Sequence, residues 1–165
     1  MKVNIDEGTF NKAISQGKLE LAEWFLENAC PVNDTAYIQN FNIGILNWLN
    51  SKNIFISKQC LSNVIDRTGD AAVVQWFIDN GVVIDGSALI SCIRNTRNEL
   101  LWDLMKISKI SLCVDAFRAA IMAENIDVLD FLKTNKCKTD ETVTEIAMKY
   151  KKKLSLKWLV MNDMF

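Results

Sequence analysis

The chain has 165 residues, half of them apolar, with a net charge of −1 and no histidine. That size and apolar content fit one ordinary domain with a fillable core, and the balanced charge leaves no basic field for nucleic acid. The missing imidazole removes the usual general base, metal ligand and near-neutral pH switch, which excludes mixed Cys/His zinc fingers and Ser-His-Asp machinery.

The opening MKVNIDEGTF carries early acids and no apolar run, unlike a secretory signal. No stretch approaches the ~18 apolar residues of a membrane span, so a cytoplasmic protein is expected. Phe10, Ala13 and Ile14 then stand at helical spacing, and Gly17 closes that short helix as a left-handed C-cap. A second helix follows, with Leu19, Leu21, Ala22, Phe25 and Leu26 around Trp24. Asn28 and Ala29 end it, Cys30-Pro31-Val32-Asn33 connect, and Asp34 offers an N-cap oxygen before Tyr37 and Ile38.

The same setting returns down the chain, at Trp48 in IGILNWLNSK, Trp76 in AAVVQWFIDN, Phe131 in IDVLDFLKTN and Trp158 in LSLKWLVMN. Between Trp76 and Phe131 the pattern is degenerate: in NELLWDLMKI, Asp103 takes the aromatic place and Trp102 stands one residue earlier. Successive positions 24, 48, 76, 103, 131 and 158 are spaced by 24, 28, 27, 28 and 27. A fixed period of this size is how stacked repeats appear in sequence.

The period predicts one all-α domain over 1–165, an array of about six helix pairs near 10–33, 34–57, 58–85, 86–112, 113–140 and 141–165. Ser57, Asp85 and Asp140 repeat the expected cap. Val82-Val83 and Ile54-Phe55-Ile56 are β-prone but too short for a sheet. The aromatics are expected to be buried wedges between repeats, and the fourth second helix to shift or rotate so that Trp102 is buried. Cys30 and Cys137 alternate with Ile54 and Val82 at one place in the repeat, and with Cys60, Cys92 and Cys113 they read as reduced core thiols. A redox or metal role for them is the alternative. Lys149, Lys151, Lys152, Lys153 and Lys157 form the one local charge excess, a solvated end face or an anionic contact.

The segment Leu19-Glu20-Leu21-Ala22-Glu23-Trp24-Phe25-Leu26-Glu27-Asn28-Ala29-Cys30-Pro31 resembles the unit of the ankyrin-type repeats abundant in giant DNA viruses of amoebae, approximately GxLEVLKWLxENGCPW. Gly17 matches the leading glycine, Trp24 the tryptophan, and Asn28, Cys30 and Pro31 the closing segment. Weaker matches at Ile126-Asp127-Val128-Leu129-Asp130-Phe131-Leu132 and Lys157-Trp158-Leu159 extend the likeness over nearly the whole chain. The TPLHxA opening of ordinary ankyrin repeats is absent, and the period falls about six residues short of their 33. The resemblance implies an ankyrin-like α-solenoid with its hairpin fingers trimmed to turns, used for protein–protein contact in a viral setting, in host cytoplasm or a virion.

A binding module is therefore the leading expectation, with no cofactor, no metal, no nucleic acid, no membrane and no catalysis. First helices of such solenoids line a concave face. On the Trp24 register its outward residues are Lys12, Ser15, Gln16, Gln39, Asn40, Asp66, Arg67, Arg94, Asn95, Arg118, Met122 and Lys149. The alternative is a structural or assembly component that self-associates, whereas a targeting module would be monomeric. Acid pairs such as Asp6/Glu7, Glu20/Glu23 and Asp140/Glu141 are scattered and set no nucleophile beside a base.

Overall fold

A computed structural model describes residues 5–164. Eleven α-helices and one 3-10 helix make up its regular structure, and no strand occurs among the described residues. Two compact units, Met1–Val83 and Ile84–Phe165, divide the chain. The first holds α1 (Glu7–Ser15), α2 (Leu19–Glu27), the 3-10 helix Asp34–Ile38, α3 (Ile43–Ser51), α4 (Gln59–Arg67) and α5 (Ala71–Asp79). In it α2 packs on α1, α3 on the 3-10 helix and α5 on α4, and the 3-10 helix touches both α1 and α4. The second unit holds α6 (Gly86–Arg94), α7 (Asn98–Ser108), α8 (Val114–Ala123), α9 (Ile126–Thr134), α10 (Thr142–Lys149) and α11 (Lys153–Met161). There α7 packs on α6, α9 on α8 and α11 on α10, α8 touches both α6 and α10, and α9 meets α11.

The first helices α1, α4, α6 and α8 each bury a stripe at helical spacing: Phe10, Ala13 and Ile14; Leu61, Val64 and Ile65; Leu89, Cys92 and Ile93; Phe117, Ala120 and Ile121. In the second helices the recurring aromatic is not the constant core residue, contrary to the sequence expectation. Trp76 and Trp158 are buried, Trp48 and Phe131 half-buried, and Trp24 is 44% exposed. The invariably buried residue is the next one: Phe25, Leu49, Phe77, Leu104, Leu132 and Leu159 are all 5% exposed or less. One residue is about 100° of helix rotation, so when that residue points inward the aromatic lies on the flank.

The flank is where neighbouring second helices meet. Trp76 donates its indole N–H to Asn47 Oδ1 at 2.7 Å, and Trp158 does the same to Asp130 Oδ1 at 2.6 Å. Each acceptor is the residue just before the aromatic position of the preceding helix. Phe131 has no N–H to donate, and at the equivalent place it meets Trp102, ring centroids 4.7 Å apart. The degenerate fourth repeat is thus a matched pair. Its helix is not rotated, since Leu101 and Leu104 keep the inward register while Trp102 is half-buried and Asp103 is exposed beside Lys106.

Helix ends explain how so little glycine and proline suffices. A left-handed residue follows every α-helix: Gly17, Ala29, Asn53, Gly69, Gly81, Thr96, Lys109, Glu124, Lys136, Lys151 and Asp163. Only three of these are glycine, so eight side chains sit at a strained φ that supplies the turn. Thr96, β-branched at φ 52°, is the most crowded. Thr96→Gly is expected to stabilise the protein by about 0.5–1 kcal/mol, read as a higher urea midpoint with unchanged slope.

N-caps follow the prediction in part. Asp85 Oδ1 accepts from Ala88 N at 3.1 Å, and Asp140 Oδ1 from Thr142 N at 3.1 Å. At the second repeat the cap is Asn33, whose Oδ1 accepts from Thr35 N at 2.8 Å, and not Asp34. Before α4 no side chain caps, and Ser57 turns to Cys60 Sγ at 3.8 Å. The second repeat's first helix is only a five-residue 3-10 turn. Asn40 stops it, accepting Asn42 N at 3.0 Å while donating to Ile14 O at 3.3 Å.

Candidate protein-contact surface

The outward residues of the first helices divide into those the fold consumes and those it leaves free. Lys12, Ser15 and Gln16 are all exposed on the last turn of α1 and the residue after it, opposite Phe10, Ala13 and Ile14. Ser15 only folds back on Lys12 O, at 2.8 Å. In the second repeat both amides are structural. Gln39 donates to Thr35 O at 2.9 Å, and Asn40 ties the turn to the end of α1. On α4, Asp66 is exposed and Arg67 reaches across to Ile38 O at 2.9 Å, closing the C-terminal carbonyls of the 3-10 helix. Arg67 is therefore a tie between helices while its side chain stays exposed.

In the second unit, Asn95 closes the end of α6 by donating to Ser91 O at 2.9 Å, and Arg94 meets Ser91 Oγ at 3.1 Å. Arg94 also lines an open groove of about 530 Å³ with Ile90, Leu112, Cys113 and Asp115. No sequence pattern marks this groove, because its far wall is the irregular connection 109–113.

Arg118 is the most committed of the set. It donates to Asp115 Oδ1 at 2.8 Å, Asp140 Oδ2 at 2.9 Å and the Thr142 hydroxyl at 3.0 Å, stapling α8 to the start of α10. The Thr142 hydroxyl first, and then the guanidinium, hold the Asp140 carboxyl below its ordinary 3.8. A depressed carboxylate adds stability above its unfolded value and loses it as pH falls through the folded one. Asp140→Asn is therefore expected to unfold with a shallower acid limb than the wild type below pH 3.8, measured by circular dichroism across a pH titration. Met122 and Lys149 stay exposed and make no tie between helices among the described residues, Lys149 lying only over the Tyr150 ring at 5.4 Å.

The thiols divide too. Cys30, Cys60 and Cys92 are buried, Cys137 is half-buried and Cys113 is exposed, so Cys113 is not a core residue. Burial pushes the Cys60 thiol up to about 11, and its Sγ rests on Asp34. Among the described residues no three Cys, Asp or Glu side chains could together hold a metal ion, and no helix is long and apolar enough to cross a membrane.

Of the twelve face residues, Lys12, Gln16, Met122 and Lys149 thus remain uncommitted, two in each unit. The chain matches no protein-family model and no curated protein.

Proposed function

We propose that the chain is a protein-binding module, an ankyrin-like α-solenoid of about six helix pairs that acts by contact and not by catalysis. The observation that carries this reading is the succession of first helices inside each unit, α1 to the 3-10 helix to α4, and α6 to α8 to α10. Their inner stripes are spent on the core while Lys12, Gln16, Met122 and Lys149 stay in solvent. Uniform backbone support with variable outward side chains is how solenoids present a recognition surface. The mixture of ammonium, amide and thioether groups suits a protein partner better than a phosphate backbone. The giant-virus resemblance of the Leu19–Pro31 segment makes a host or viral protein in the cytoplasm the partner in this reading.

Affinity capture from amoebal lysate, followed by titration of the captured protein, tests it. Two variants are compared with the wild type, Lys12→Ala with Gln16→Ala, and Met122→Ala with Lys149→Ala. At least one pair is expected to weaken binding about tenfold, some 1.4 kcal/mol, with melting temperature unchanged because exposed substitutions rarely exceed about 0.5 kcal/mol. Full affinity in both variants would remove the first-helix face from consideration.

A further inference from the structure

Inside the units, three of the four neighbouring pairs of second helices (α3 with α5, α7 with α9 and α9 with α11) meet along one register with three levels, while α2 meets α3 differently, through Lys52 on Glu23 at 2.6 Å. Five residues before the aromatic position, Asn98 donates to Asp127 of the next second helix at 3.2 Å. One residue before it, Asn47 and Asp130 accept the next helix's indole N–H, and Trp102 meets Phe131. Two residues after it, Asn50 reaches Asn80 at 2.8 Å and Lys133 reaches Asn162 at 2.7 Å. The donor face of a second helix is therefore its residues at −5, −1 and +2. The receiving face is its residues at −4, 0 and +4.

Among the described residues α2 has no earlier second helix and α11 no later one, so this register leaves the receiving face of α2 and the donor face of α11 without a partner. The donor face of α11 is Lys153, Lys157 and Val160, all exposed. The receiving face of α2 is Glu20, Trp24 and Asn28, also all exposed. Trp24 is 44% exposed where its covered counterparts Trp76 and Trp158 are 9% and 6%. The charges are complementary: Glu20 and Glu27 on α2, and Lys151, Lys152, Lys153 and Lys157 on or just before α11. Beside α11, Val143, Thr144, Met148 and Met164 line an open groove of about 570 Å³ along α10, together with the acids Asp140, Glu141, Glu145 and Asp163.

We infer that a second copy of the chain docks here head to tail, with α11 of one copy seated on α2 of the next. The internal register sets the pairs. Lys153 meets Glu20 as Asn98 meets Asp127. Lys157 stands against the Trp24 indole, at the place where Asn47 stands against Trp76 and Asp130 against Trp158. Val160 covers the turn at Asn28. The contact is heterologous, so each copy in a pair keeps one donor or one receiving face for a further copy. The inference stands on helix contacts within each unit, not on the heterologous partner proposed above, so the Lys12/Gln16 and Met122/Lys149 variants leave it unchanged.

Sedimentation velocity from about 1 to about 300 µM, the range of weak specific contacts, reads the result on the purified chain. The wild type is expected to grow beyond its 18.8 kDa monomer with concentration, and less so at high salt. Trp24→Glu and Val160→Glu alter exposed positions and blunt opposite ends, so each alone associates at least tenfold more weakly. Mixed one to one they retain one intact pair of faces, and growth stops at a dimer. Glu20→Lys weakens association and Lys153→Glu added to it restores it. A wild type that stays monomeric throughout the range overturns the inference. So do single variants that associate like the wild type, or a mixture of folded variants that forms no dimer.

Discussion

Phe77→Ala is expected to lower stability by about 3–5 kcal/mol, whereas Trp24→Ala should cost no more than about 1 kcal/mol. The two residues look alike in sequence, neighbouring aromatics of a second helix, and their burial sets them apart. Phe77 is fully buried, meeting Tyr37 edge-on at 6.1 Å and Trp76 at 5.1 Å. Tyr37 is itself locked, donating its hydroxyl to Ile54 O at 3.0 Å, and burial pushes its phenol up to about 12. Deleting the Phe77 ring opens a cavity that a ring fixed on its far side cannot fill, so the cost should sit high in the range for large aromatic deletions. Trp24 is in edge contact with Phe25 at 5.5 Å and otherwise half in water. Urea unfolding monitored by far-UV circular dichroism compares the two variants. Equal losses would return the aromatic position to the role of core anchor.

Asn125→Ala should be the costliest polar substitution, at about 2–3 kcal/mol. Asn125 is 5% exposed and does three things at once. It caps α9, accepting Val128 N at 3.4 Å, donates to Asn98 Oδ1 at 2.7 Å and accepts from Asn98 Nδ2 at 3.3 Å. Its loss removes a cap and strands a half-buried amide. Asp85→Ala removes an N-cap and a bond to Ser87, so about 1 kcal/mol is expected there. Adding Asn98→Ala to Asn125→Ala should recover part of the loss, because the stranded partner is gone as well. Strict additivity in that cycle would mean the two amides do not act as a pair.

The all-helical fold was legible in the sequence because its signal is periodic. Apolar spacing, Gly17 and the recurrent caps each place a boundary within a residue or two. The role of the aromatic was not legible. Period alone shows that Trp24, Trp76 and Trp158 are equivalent, but not which way a given position faces, and neighbours such as Trp76 and Phe77 are equally apolar. The acceptors Asn47 and Asp130 carried no mark either, since a polar residue on a helix flank reads as solvated until its neighbour is known. The same blindness affected the contact surface. Arg67, Asn40 and Arg118 looked outward by register, and each is long or polar enough to reach a backbone carbonyl or a cap one repeat away. The left-handed conformation was legible at Gly17 but not at Ala29, Thr96 or Lys136, whose side chains give no sign of it.

The pairing of second helices inside each unit also constrains how this gene can gain or lose segments. Excising 113–140 would set Trp102 before Trp158, leaving an indole N–H facing a ring with no oxygen to accept it. Excising 86–140 instead would set Gln75 there, and its amide oxygen restores the acceptor that Asp130 supplies at 2.6 Å. Blocks of this chain are therefore not interchangeable beads. Each carries a half of a match to its neighbour, so recombination that respects the period but ignores the match yields a chain of the right length with a fault at the new junction.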